Sequence, residues 1–138
     1  MTGRNAEVVR ELLDAWNRGE FETVIAGLSE EIEWVPVTVA SVEGEATFRG
    51  RDGVREFFEQ WSRTWERWEL ALEEYREVGD RVVALGRVHA RGRGSGVELD
   101  QEAAYVFDLR AGELARGESF FSHDEALAAA GLERSRSG

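Results

Sequence analysis

Cysteine is absent from the 138-residue chain, and so is lysine. The first absence excludes disulfides, thiol nucleophiles and cysteine-based zinc sites. The second excludes Schiff-base catalysis and leaves arginine to supply all 17 basic side chains. His89 and His123 are the only histidines, too few for a multi-histidine metal centre in one chain, so neither a metal nor a cofactor is expected. No run approaches the roughly 20 apolar residues of a membrane span, and the opening MTGRNAEVV carries no apolar segment of signal-peptide type. Basic residues are also outnumbered, 17 against 28 acidic, for a net charge of −11. That sign argues against phosphate backbones and anionic membrane surfaces as partners. The expectation is a cytoplasmic protein that engages neither nucleic acid nor membrane.

Hydrophobic residues make up 42% of the chain and charged residues 33%, the balance of an ordinary globular protein. At this length a single domain over 1–138 is expected, with an ordered body over about 5–132 and a polar tail, ERSRSG, at 133–138. Val8, Val9, Leu12, Leu13 and Trp16 recur at helical spacing and predict a first helix over about Asn5–Arg18, stopped by Gly19. Phe21, Val24, Ile25 and Leu28 predict a shorter second helix ending at Leu28. Ile32–Val39 is strand-like, but Pro36 cannot donate to a ladder, which places that strand at an edge or a bulge. After the glycine-bearing loop VEGEATFRGRDG, Asp52 is the expected N-cap of a third helix with Val54, Phe57, Phe58, Trp61 and Trp65 on one face. Trp68, Leu70 and Leu72 predict a strand to Val78, with a helix persisting to Glu77 as the alternative. Val82–Arg91, Val97–Leu109 and Leu114–Phe121 read as three further strands. Ser122-His-Asp-Glu125 matches a capping box that opens a helix to Ala130, and Gly131-Leu132 matches a Schellman ending.

Helices followed by antiparallel strands make an α+β pattern. Segments 15–21 (AWNRGEF), 48–58 (FRGRDGVREFF), 79–83 (GDRVV), 92–96 (GRGSG) and 125–132 (EALAAAGL) give the order a particular character. Together they resemble the SnoaL-like branch of the nuclear-transport-factor-2-like (NTF2-like) superfamily across essentially the whole chain. The resemblance implies an α+β cone: N-terminal helices packed in a strongly curved antiparallel sheet, a conical cavity, a short C-terminal helix, and a homodimer formed through the sheet. Members include isomerases, polyketide cyclases, epoxide hydrolases and non-catalytic binders, so the fold alone does not fix the function.

Strand alternation sorts the side chains that could face such a cavity. Pairing residue 89 with 99, 87 with 101 and 85 with 103 across GRGSG puts Arg87 and His89 on one face with Gln101 and Tyr105; Ser119 follows on the last strand. Trp34, Phe57 and Trp61 supply apolar wall. A one-residue slip would reverse these faces.

The family chemistries can be set against these positions. Ketosteroid isomerase-like action needs a carboxylate base and two acidic donors, which would fall near Trp34–Val37, at Ala103 and at Leu12; none is present. Epoxide hydrolase-like action would use Arg87-Val88-His89, with the first Asp replaced by His and the second, at Ser119, by a hydroxyl. That leaves His89 as a base and Arg87 or Tyr105 to stabilise an oxyanion. Cyclase-like action needs a carboxylate at the cavity; the nearest late-strand one, Glu118, points outward in this register, and only a one-residue slip would make Glu98, Asp100, Glu102 and Glu118 candidates together in place of a solvated acidic face. His123 reads as part of a helix cap. The first expectation is therefore a binder of a small, largely apolar organic molecule. A general acid/base enzyme comes second, and a non-catalytic dimeric module with its cavity plugged by Trp61, Trp65 and Phe121 third.

Overall fold

A computed structural model describes residues 3–36 and 47–132. The expected end of the first strand at Val39, part of the glycine-bearing loop and the tail at 133–138 lie outside the described residues. Along the chain run α1 (Arg4–Asn17), α2 (Phe21–Ala26), β1 (Leu28–Val35), β2 (Phe48–Arg49), α3 (Gly50–Thr64), β3 (Trp65–Val78), β4 (Arg81–Gly92), β5 (Glu98–Arg110), β6 (Glu113–Phe120) and α4 (His123–Ala129). Among the described residues no helix is long and apolar enough to cross a membrane.

The six strands form one sheet in the order β2-β1-β6-β5-β4-β3. All neighbours are antiparallel except β1 and β6. Register shifts at 28/33, 65/67, 72/74 and 108/109 are irregularities of the kind that bend strands, and the sheet curves without closing. Its concave side holds Val9, Leu12 and Trp16 of α1, Ile25 of α2, and Val54 and Phe58 of α3, packed on Leu70, Val82, Val88, Ala103 and Phe107. A second cluster occupies the outer side, where Ala126 and Leu127 of α4 cover Val83, Leu85, Ala104 and Val106.

Four expectations about the elements change. Leu28 begins β1, pairing with Leu114, instead of ending a helix. β1 is an inner strand, flanked by β2 and β6; Pro36 costs no ladder bond because it follows the strand's last residue. The cap of α3 is Arg49, and Asp52 sits in the first turn, where its charge still suits the helix dipole. Residues 65–78 form a strand throughout, three residues earlier than expected and with no helix to Glu77.

Other signals hold. Ser122 Oγ accepts the Glu125 N–H at 3.1 Å. At the far end of α4, Leu132 N–H bonds to Leu127 O at 2.7 Å and Gly131 N–H to Ala128 O at 3.1 Å, with Gly131 at φ 77°. This is the bonding of a Schellman ending, and a left-handed residue there is best supplied by glycine. β3 is an edge strand whose free side is engaged by a side chain. Asn17, at the end of α1, donates to Leu70 O at 3.0 Å and accepts from Leu70 N–H at 2.8 Å. One amide thereby mimics a neighbouring strand and fixes α1 across the sheet.

Candidate functional site

The hairpin between β4 and β5 decides which side chains face inward. Arg91 pairs with Glu98, His89 with Asp100, Arg87 with Glu102 and Leu85 with Ala104, one residue away from the expected register. The cause is Val97, whose apolar side chain reads as strand but which lies in the turn and is 60% exposed. Gly92 N–H closes the turn on Val97 O at 2.7 Å, so the loop is one residue longer and the faces of β4 are exchanged. β5 keeps its odd-numbered residues inward, and β4 turns its even-numbered ones.

The concave face encloses a cavity of about 420 Å³ between the sheet and α1, α2 and α3. Of the sequence-derived positions, Trp34, Phe57, Trp61, Tyr105 and Ser119 all border it. Gln101 alternates with the wall residues Leu99 and Ala103 on β5 but does not reach the wall itself. Arg87 and His89 are on the other side of the sheet. There Arg87 Nη2 lies 3.1 Å and His89 Nδ1 3.2 Å from Asp100 Oδ1, each side chain about half exposed. Their outward placement follows directly from the register, and it separates them from the cavity.

The acidic candidates share that outer face. Glu118 pairs with Arg116 at 3.2 Å, and Glu102 Oε2 accepts the His123 backbone N–H at 2.9 Å. His123 ties α4 to the sheet, its Nε2 lying 2.9 Å from Gly86 O and its Nδ1 3.1 Å from Glu102 Oε2.

The wall is aromatic. Trp34, Tyr105 and Phe107 lie nearly parallel: Trp34 is inclined 13° to Tyr105 and 11° to Phe107, with centroids 6.4 Å apart in both pairs, and Tyr105 and Phe107 are 3° apart. Gly117, paired with both Trp34 and Phe107, makes this possible. A Cβ there would lie 2.9 Å from the Phe107 ring and 3.0 Å from Trp34. Opposite, Trp16 packs on Phe21, Phe57, Phe58, Trp61 and Trp68. Gln60 and Thr64, the exposed members of the wall, place the mouth at the C-terminal end of α3.

Polar groups are few. Tyr105 and Ser119 pair directly across β5 and β6 and both face the cavity, and the indole nitrogens of Trp34 and Trp61 are buried in the wall with no hydrogen-bond partner among the described residues. No Asp, Glu, His or Arg borders the cavity among the described residues. Burial pushes the Tyr105 phenol far above its usual range, so it serves as a neutral donor and acceptor. Because the fold holds this proton more tightly than the unfolded chain does, the stability tied to it is complete below about pH 10 and declines above. A Tyr105→Phe variant is expected to lose the later of the two phenol titrations in an ultraviolet pH titration and to show a shallower alkaline loss of stability. Tyr75, raised by burial against the opposing charge of Arg10, remains as the earlier titration.

A sequence profile of the SnoaL-like domain matches residues 9–117. The chain belongs to the SnoaL-like family. No curated protein matches it. Solved structures carry the NTF2-like fold further. An NTF2-like protein of unknown function from Burkholderia pseudomallei is 25% identical over 92% of this chain and 97% of its own, with a TM-score of 0.79. TerC, co-crystallised with polyporic acid, is 24% identical over 96% and 100%, with a TM-score of 0.77. A protein of ketosteroid isomerase-like fold from Catenulispora acidiphila, in complex with trimethylamine, is 17% identical over 91% and 93%, with a TM-score of 0.74. This SnoaL-like chain thus shares its fold with proteins of little sequence identity.

Proposed function

We propose that this protein binds a small, largely apolar organic molecule in the cavity between the sheet and α1–α3. The observation that carries the reading is a space of about 420 Å³, walled by aromatic rings and without a charged side chain among the described residues. The volume is within the range of about 300–1,000 Å³ that small-molecule sites occupy. Trp34, Phe57 and Trp61 supply contact area, and Tyr105 and Ser119 supply oriented hydrogen bonds. The reading asks for no acid/base step from Arg87 or His89. Trp61, Trp65 and Phe121 stand in the wall and leave the space open, which counts against a plugged interaction module. TerC, of the same fold, was crystallised with an organic acid, in keeping with a ligand-binding use.

The experiment is a titration with N-phenyl-1-naphthylamine, whose emission rises on leaving water. Saturable enhancement at one site per chain is the expected result, and its absence from the folded protein would end the proposal. We also propose a homodimer through the outer face of the sheet, where Arg81–Asp108, Arg87–Asp100 and Arg91–Glu66 set charges of both signs side by side. Such rows can meet their own copy about a two-fold axis. Native mass spectrometry should give twice the 15.5 kDa chain mass; monomer alone would contradict it.

A further inference from the structure

We infer that the cavity selects its ligand by charge, accepting the uncharged form of a flat ring compound and rejecting the corresponding anion. This rests on the binding reading above and narrows it.

Charged residues are 33% of the chain, yet none borders the cavity among the described residues. They are instead collected outside, where Arg49 and Arg116 meet Glu33, Arg81 meets Asp108, and Arg87 meets Asp100. With a net charge of −11, the chain's overall field opposes an anion as well.

The interior makes the same demand at shorter range. An anion entering the cavity gives up water and finds no cation among the described wall residues, and a buried unpaired charge is costly. Tyr105 reports this environment from within: its own ionisation is opposed by burial alone. A neutral oxygen on a ligand faces no such penalty. It can be held by the hydroxyl of Tyr105 or of Ser119, both of which border the cavity, while the ring lies along the parallel faces of Trp34, Tyr105 and Phe107. Flatness follows from that wall, and neutrality from the absence of a counter-charge.

The test compares methyl 2-naphthoate with 2-naphthoate at pH 7, each displacing N-phenyl-1-naphthylamine from the intact protein. The two share a ring system and differ chiefly in charge. The ester is expected to bind at least about 100-fold more tightly than the carboxylate. Equal affinities, with the fluorescent probe binding normally, would overturn the charge selection and leave the binding reading standing. Failure of the probe itself to bind would remove both.

Discussion

An Ala103→Phe variant is expected to fold and to lose at least about 30-fold in affinity for N-phenyl-1-naphthylamine. Ala103 is 2% exposed, sits in the middle of β5 and points into the cavity beside Tyr105. A phenyl ring there grows into space that a ligand would occupy, among side chains of its own polarity. The neighbouring Ala104 sets the contrast. It is fully buried on the opposite face, packed with Ala126 and Leu127 of α4. Ala104→Phe is expected to destabilise the protein by about 1–3 kcal/mol through overpacking while leaving probe affinity within about 3-fold in the folded fraction. Chemical denaturation and the fluorescence titration read the two quantities separately. If the two variants exchanged their effects, the faces assigned to β5 would be reversed and the cavity account would fail.

The second large effect is expected at Asn17. Its amide satisfies both backbone groups of Leu70 on the edge strand β3, and among the described residues no other strand adjoins that side. Asn17→Ala leaves a partly buried N–H and C=O without partners and should cost about 2–4 kcal/mol. Asn17→Asp keeps the acceptor for the Leu70 N–H and loses the donor to its carbonyl, so an intermediate loss is expected. Urea unfolding of both variants checks the order. Equal stability of all three proteins would mean that α1 is held by apolar packing alone.

These effects mark where the sequence was legible and where it was not. Helical periodicity located α1 and α3, and the Ser122 cap and Gly131 ending located α4, because their causes lie within a few residues of chain. Strand content was also readable. Register was not, since it depends on how many residues a turn consumes, and Val97 gives the wrong hydrophobic signal at that count. The cost fell unevenly. Tyr105 and Ser119 kept their places because β5 and β6 retained the expected parity, whereas Arg87 and His89 moved to the outer face with the rest of β4's odd-numbered residues. The parallel pairing of β1 with β6 was hidden for a different reason: it joins segments about 85 residues apart, Leu28 and Leu114 among them, and no local pattern encodes it. Gly117 could have been noticed as a glycine within a strand, a sign of close approach, but only the fold reveals that Trp34 and Phe107 are what approach it.

Whether the aromatic cavity is the binding site is decided by a crystal structure with methyl 2-naphthoate bound. The naphthalene ring is expected along Trp34, Tyr105 and Phe107, with an ester oxygen within hydrogen-bonding distance of Tyr105 or Ser119. A ligand seated instead on the outer face beside Arg87, His89 and Asp100, with the cavity closed by its own side chains, would contradict that placement.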